Sequence, residues 1–242
     1  MLPVSAPRRD MIQAELQQTS ADLVVLTEAY DALVLDGYPY HHSSAPGRDG
    51  GHPAEHHWVT IWSRAPVDTL EVSDVQRTAA VRVVADGMRP YVVFGTVLPW
   101  IGSPWREMPA GGGVAFRASL QLQLQDWTRL RAMFPEDEFF VLGDFNQDLV
   151  APRYYGSRVN RAALKAALAA VGLAALTAGS ADPIRLACAP YACIDHVCGL
   201  RTSAWRVAET FRWPETAAPV RRVSDHFGVG VRLVAHAPAP GA

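Results

Sequence analysis

Apolar positions along this chain follow two rhythms. Unbroken or alternating runs rich in Val, Ile, Tyr, Phe and Trp, bounded by Gly, Pro, Asp or Ser, predict strands at residues 22–26, 59–62, 78–84, 91–97, 139–142, 173–176, 205–211 and 228–234. The pair 78–84 and 91–97 flanks Asp86-Gly87, a turn dipeptide. Helical spacing replaces this rhythm in three places. Met11 and Leu16 mark a helix ahead of the first strand, Leu120, Leu124, Trp127 and Leu130 share one face of a helix over 118–133, and residues 158–171 form another. No repeat is visible. The rhythm alone predicts a mixed α and β chain of a length one large domain accommodates, here expected over 1–235, with a disordered Pro-containing tail over 236–242.

The strands matter for how they end. Val141-Leu142-Gly143-Asp144-Phe145-Asn146 is an apolar run that closes on an acid and an amide two residues apart, so Asp144 and Asn146 point the same way from a sheet edge. The pair suits attack on a phosphate, one side chain taking a proton or touching a metal and the other donating to an anion; an Asx turn closing a strand explains it equally well in isolation. Leu26-Thr27-Glu28, Cys193-Ile194-Asp195-His196-Val197 and Ser224-Asp225-His226-Phe227-Gly228 repeat the pattern. Carboxylates gathered at one edge repel unless a cation neutralises them or a proton is shared, and a hard divalent metal is the economical answer.

This ordered set resembles the endonuclease/exonuclease/phosphatase superfamily. Gly143-Asp144-Phe145-Asn146 and Ser224-Asp225-His226 carry most of the resemblance; Leu26-Thr27-Glu28 is similar to the family's Leu-Gln-Glu element and Ser63-Arg64-Ala65-Pro66 to its Ser-Arg-x-Pro strand end. The resemblance implies an α+β fold, a four-layer α/β/β/α sandwich of two mixed sheets flanked by helices. It implies Glu28 and Asp225 as ligands of Mg2+ or Mn2+, and Asp144 as the group orienting or deprotonating the attacking water. By the same resemblance Asn146 holds phosphate oxygens or the metal-bound water, while Asp195 stands behind a cationic His226. Two departures stand beside these matches. Residues 1–9 hold no Asn and no strand-like run, so the family's first strand is expected to be lacking, and Val97 occupies the place of a His or Tyr that contacts phosphate.

Charge and composition narrow the partners. A net charge of −2 excludes a global basic field, so polyanion binding must be local, and every basic side chain but Lys165 is an arginine. Arg106 and Arg117, on either side of Gly111-Gly112-Gly113, form a candidate substrate rim. A Gly- and Pro-containing stretch bearing His41, His42, His52, His56 and His57 reads as a surface loop, in which His56 or His57 is a candidate phosphate contact in place of Val97. Trp100 and Trp105 offer stacking surfaces, though capping a long loop is the favoured role. Cys188, Cys193 and Cys198 fit no zinc spacing and read as small buried hydrophobes, with a Cys188–Cys193 disulfide as the alternative.

No leader or membrane-length run is apparent, so the chain reads as cytoplasmic. The expected function is a divalent-metal-dependent phosphodiester hydrolase, a nuclease being favoured. The alternatives are a phosphomonoesterase or phospholipid phosphodiesterase on the same fold, and a catalytically weakened binding module. No obligate protein partner is evident.

Overall fold

The structure, a computed structural model, describes residues 6–18, 20–47, 55–213 and 224–236. In chain order the elements are α1 (Ala6–Gln17), β1 (Leu23–Tyr30), β2 (Tyr40–Ser43), β3 (His56–Ser63), β4 (Val67–Leu70), β5 (Thr78–Val83), β6 (Tyr91–Val97), α2 (Val114–Met133), β7 (Glu138–Asp144), α3 (Arg158–Ala170), β8 (Leu173–Ala175), α4 (Pro183–Cys188), β9 (Asp195–Leu200), β10 (Trp205–Trp213) and β11 (Gly228–Ala235).

One sheet has six strands in the order β4-β5-β6-β7-β9-β8. Only β6 and β7 run parallel, and a parallel pair needs a long crossover, which α2 provides. That helix lays Phe116, Leu120, Trp127 and Leu130 over Phe94, Val92 and Val141, where Leu164 and Leu168 of α3 join the same core. Trp127 meets Phe94 edge-on at 6.1 Å. The opposite face buries Val81, Val93 and Phe140 against Val59 and Ile61 of β3. Covered on both sides, β6 is buried at every position, which is why it reads as an unbroken apolar run.

The layer that faces this sheet comes in two pieces, β1-β3-β2 and the hairpin β10-β11. Both pack on the same inner face: Leu23 and Val25 from β1, and Trp205 and Leu233 from the hairpin, share the core with Val93 and Phe140. Trp205 stacks on Phe140 at 5.9 Å. The outer side of β1 and β3 buries Val24, Leu26 and Trp62 beneath Ile12 and Leu16 of α1. The result is the α/β/β/α sandwich, with its smaller layer split rather than built as one mixed sheet. Among the described residues no strand lies between β1 and β11.

Several expectations need correction. Four of the histidines lie on strands instead of in a surface loop: His41 and His42 are on β2, and His56 and His57 open β3, where the register puts them opposite Tyr30 and Ala29. His52 lies outside the described residues, as do positions 237–242 of the tail. Cys188, Cys193 and Cys198 are free and buried, so no disulfide forms. The short elements β2, β4 and α4 carried no sequence signal strong enough to predict them. No described helix is long and apolar enough to cross a membrane.

Candidate active site

Asp144 ends β7 and Asp195 begins β9, and the antiparallel register sets their Cα atoms directly opposite. Like charges facing across a ladder are destabilising, so this position needs compensation. Part of it comes from His226, whose Nδ1 lies 2.9 Å from Asp195 Oδ2. Ser224 Oγ accepts from His226 N–H at 3.0 Å and fixes the turn that delivers the imidazole. One ligand-type atom from each of Asp144, Asp195 and His226 lies within 4.8 Å of the others.

Backbone conformation places these groups. Gly143 has φ 134°, and a Cβ there would sit 2.0 Å from the Thr96 carbonyl oxygen, so only glycine lets β7 approach β6 and then turn Asp144 inward. Asn146 has φ 47°, in the left-handed region Asn tolerates. Its backbone N–H donates to Asp144 Oδ1 at 2.7 Å, and its side-chain amide donates to Asp144 Oδ2 at 2.7 Å and to Leu98 O at 2.9 Å. Both hydrogens of the amide are thus directed at Asp144 and the Leu98 carbonyl in this structure.

Electrostatics follow from burial and from the facing acids. Desolvation, followed by the charge of Asp195, raises the Asp144 pKa well above the ordinary carboxylate value; His226 and the Asn146 N–H oppose the rise, and Glu28 adds to it. His226 is pushed up to about 10, first by the charge of Asp195, against its partial burial, with the Asp195 hydrogen bond, Asp144 and Asp225 adding to the rise. It is cationic at neutral pH. Glu28, with φ 60°, sits near the end of β1, and its carbonyl bonds His56 Nε2 at 3.0 Å. Glu28, Asn146, Asp144, Asp195, Asp225 and His226 all line one cavity of about 600 Å³.

The candidate rim residues are elsewhere. His57 is clamped between Ser44 O and Asp31 Oδ1, both at 2.6 Å, and His56 is fully buried, so these histidines tie β3 to its neighbours instead of facing the cleft. Arg106 lies over the Trp105 ring and bonds Ser73 O at 3.1 Å; Arg117 bonds Gly112 O and Asn160 Oδ1. Neither is among the cavity's lining residues. Val97 is likewise absent from that lining, packed in the core between the sheets at 1% exposure. Trp105 is buried with its indole N–H on Asp74 Oδ2, whereas Trp100 borders the cavity, as does Tyr155.

Sequence reasoning passed over the loop that holds this site together. Buried Asp148 accepts from the Tyr154 and Tyr155 backbone N–H groups and pairs with Arg161 of α3, and the Gln147 carbonyl meets His196 Nε2 at 3.0 Å. Burial lowers the His196 pKa, so this ring is neutral. The clue was Asp148 two residues beyond Asn146, followed by Tyr154-Tyr155 before the start of α3.

The fold recurs among solved structures. An endonuclease/exonuclease/phosphatase from Beutenbergia cavernae DSM 12333 superposes with TM-score 0.64 at 18% identity, over 96% of this chain and 67% of that one. A 3'-5' exonuclease from Neisseria meningitidis gives 0.60 at 20%, covering 94% and 95%. The beta toxin of Staphylococcus aureus, as a mutant with bound magnesium ions, gives 0.54 at 14%, covering 85% and 80%. No curated protein matches the sequence. The model of the Endonuclease/Exonuclease/phosphatase family, however, matches residues 5–226 and so takes in all three groups of the Asp144, Asp195 and His226 cluster: the chain belongs to that family.

Proposed function

We propose that the chain is a divalent-metal-dependent phosphodiesterase that cleaves nucleic acid by in-line attack of an activated water. The observation that carries this reading is the convergence of Asp144, Asp195 and His226 within 4.8 Å at the polar end of a cavity also lined by Glu28 and Asp225. Family membership supports hydrolysis of a phosphoester, and the exonuclease from Neisseria meningitidis with the same fold supports nucleic acid as the substrate.

The donor set fits a hard cation. Asp144 is buried, and its anionic form is disfavoured by desolvation and by Asp195, the situation a divalent ion relieves. Glu28 and Asp225 would hold Mg2+ or Mn2+, which when bound supplies charge neutralisation at the phosphate. The chain's own groups do the rest. Asp144, held by both donors of Asn146, orients the water and takes its proton. His226, kept cationic and in one orientation by Asp195, stabilises charge on the phosphoryl oxygens.

The test is hydrolysis of a generic phosphodiester by the pure protein with Mg2+, Mn2+ or chelator, with DNA, RNA, phosphomonoesters and phospholipids as competitors. Chelator-sensitive turnover that nucleic acid competes best is the expected result. Chelator-insensitive turnover removes the metal site, and preference for a phospholipid or monoester moves the assignment to those substrates.

A further inference from the structure

Positive charge is spread unevenly along the chain. Between residues 149 and 194 the basic side chains are Arg153, Arg158, Arg161, Lys165 and Arg185 and the acid is Asp182, in a chain whose net charge is −2. Arg161 and Arg185 are taken up by the fold: Arg161 pairs with Asp148, and Arg185 pairs with Asp182 and donates to the Val150 and Pro152 carbonyls. Arg153 and Arg158 stay exposed, and among the described residues no carboxylate pairs with either. They bracket Tyr154-Tyr155, so basic and aromatic side chains interleave where the loop borders the cavity through Tyr155.

A row of rings begins beside His226. Phe227 follows it in sequence and lines the cavity; Tyr191 meets Phe227 edge-on at 6.0 Å, and Tyr154 meets Tyr191 edge-on at 5.8 Å. Phe227 is buried, whereas Tyr191 and Tyr154 are 36% and 40% exposed, so the row climbs from the cavity to the surface. An edge-on pair leaves ring faces uncovered. The rings are also held in place. Asp148 fixes the Tyr154 backbone, the Cys188 carbonyl accepts from the Tyr191 N–H at 3.0 Å, and Arg185 of α4 ties the two loops together. Fixed aromatic faces at the surface add nothing to the core.

We propose that this row is the path of an unpaired nucleic-acid strand leaving the scissile phosphate, with bases stacked on Tyr191 and Tyr154 and flanking phosphates held by Arg153 and Arg158. The inference rests on the phosphodiesterase reading above and narrows its substrate to single-stranded nucleic acid. Stacking on an aromatic face tolerates any sequence, since every base has a π-face, and arginine supplies the charge that tracks the backbone. A duplex gains nothing from the row, because each inner base is covered on both faces by its neighbours and exposing one breaks the stack. A bilayer also carries headgroup phosphates, but it has no flat faces to offer. It depends on apolar bulk where a base depends on ring shape.

The experiment measures binding by the full chain with chelator present. Fluorescence anisotropy follows a labelled oligodeoxynucleotide, single-stranded or as the duplex of the same sequence, with vesicles of phosphatidylcholine and phosphatidylglycerol as competitor. The single strand should bind at least about tenfold more tightly than the duplex. Tyr154→Leu with Tyr191→Leu keeps apolar bulk and removes the flat faces; it should weaken the single strand by at least about tenfold and leave the duplex unchanged. Arg153→Gln with Arg158→Gln should lower the slope of log affinity against log salt by roughly 0.7 for each arginine. Equal affinity for the two forms, an unchanged single-strand affinity in the leucine variant, an unmoved salt slope, or no binding up to about 1 mM overturns the inference. Displacement of the strand by the vesicles also overturns it and assigns the rim to a membrane surface. Turnover of a small chromogenic diester with Mg2+ or Mn2+ reports the phosphodiesterase reading separately. Turnover without strand preference removes this inference alone, and strand preference without turnover removes the catalytic reading and keeps the strand path.

Discussion

At the level of single residues, Asp144 carries the sharpest prediction. It is the one carboxylate both buried and bonded twice by Asn146, so Asp144→Asn removes the proton acceptor while nearly preserving shape. We expect turnover to fall by roughly 10²–10⁴-fold, the range of general base catalysis. Loss of the charge facing Asp195 should leave the melting temperature of the metal-free protein unchanged or higher. Near-normal kcat would remove Asp144 from its role. Asp195 works through the imidazole, so Asp195→Ala should cost less, about 10–100-fold. Its mark is a pH profile: with its carboxylate gone, His226 deprotonates at lower pH and activity declines earlier on the alkaline side. A profile unmoved by the mutation would deny the coupling. For Val97 the family resemblance suggests a missing phosphate contact, yet the side chain packs beneath Trp58 and Val59 in the apolar core. Val97→His therefore buries an imidazole among hydrocarbons, and urea unfolding should show a loss of about 1–3 kcal/mol with no gain in turnover. A rise in diester hydrolysis would contradict that placement.

At the level of elements, the β6–β7 junction is where architecture becomes site. Gly143→Ala forces a Cβ onto the Thr96 carbonyl from a φ that side chains rarely adopt, so the parallel pair must separate. A loss of at least about 3 kcal/mol in chemical denaturation is expected; a loss under about 1 kcal/mol would mean that the junction relaxes freely. The same region shows what sequence can and cannot carry. The strand at β6 was legible to the residue because both of its faces are buried, and the two long helices were legible from their apolar stripes. Asp144, Asn146, Asp195, His226, Glu28 and Asp225 were legible as candidates because four strand ends carry them in one order, and they do line one cavity, although any single strand end of this kind reads equally well as a turn. The histidines of β2 and β3 were not. Their polarity and nearby glycines mimic a loop, and at His56 and His57 only tertiary partners such as Asp31, Ser44 and the Glu28 carbonyl make a buried strand of them. Arg106 and Arg117 misled for the converse reason. A guanidinium near a glycine-rich loop looks like an anion site, and here backbone carbonyls and Asn160 take its hydrogen bonds.

For the whole molecule, the shifts of His226 and Asp144 set how stability, protons and metal are linked at the site. The His226 pKa lies near 10 in the folded protein, above its ordinary value of 6.5, so its contribution to stability is fully present below about pH 6.5 and is lost as pH rises through about 10. Asp144 is also raised, so folding favours its protonated form, and that contribution too is lost as pH rises through its folded pKa. Both act in the same direction. Above neutral pH, where the lowered His196 and His42 are already deprotonated in both the folded and the unfolded chain, the metal-free protein should thus lose stability toward alkaline pH, and unfolding at constant ionic strength measures this directly. A divalent ion reverses the trend at the same place, because it binds ionised carboxylates and must displace the proton that Asp144 otherwise keeps. Stabilisation by Mg2+ should therefore grow with pH. At a hundredfold excess over its dissociation constant the ion contributes about 2.7 kcal/mol, which for a chain of this size raises the melting temperature by roughly 5–10 °C. The shift should be clear at pH 8.5, small at pH 5.5 and abolished by Asp144→Asn combined with Glu28→Gln, a double variant that removes carboxylates without introducing bulk. A shift equal at both pH values would separate metal binding from Asp144, and no shift at either would deny the chain its metal site.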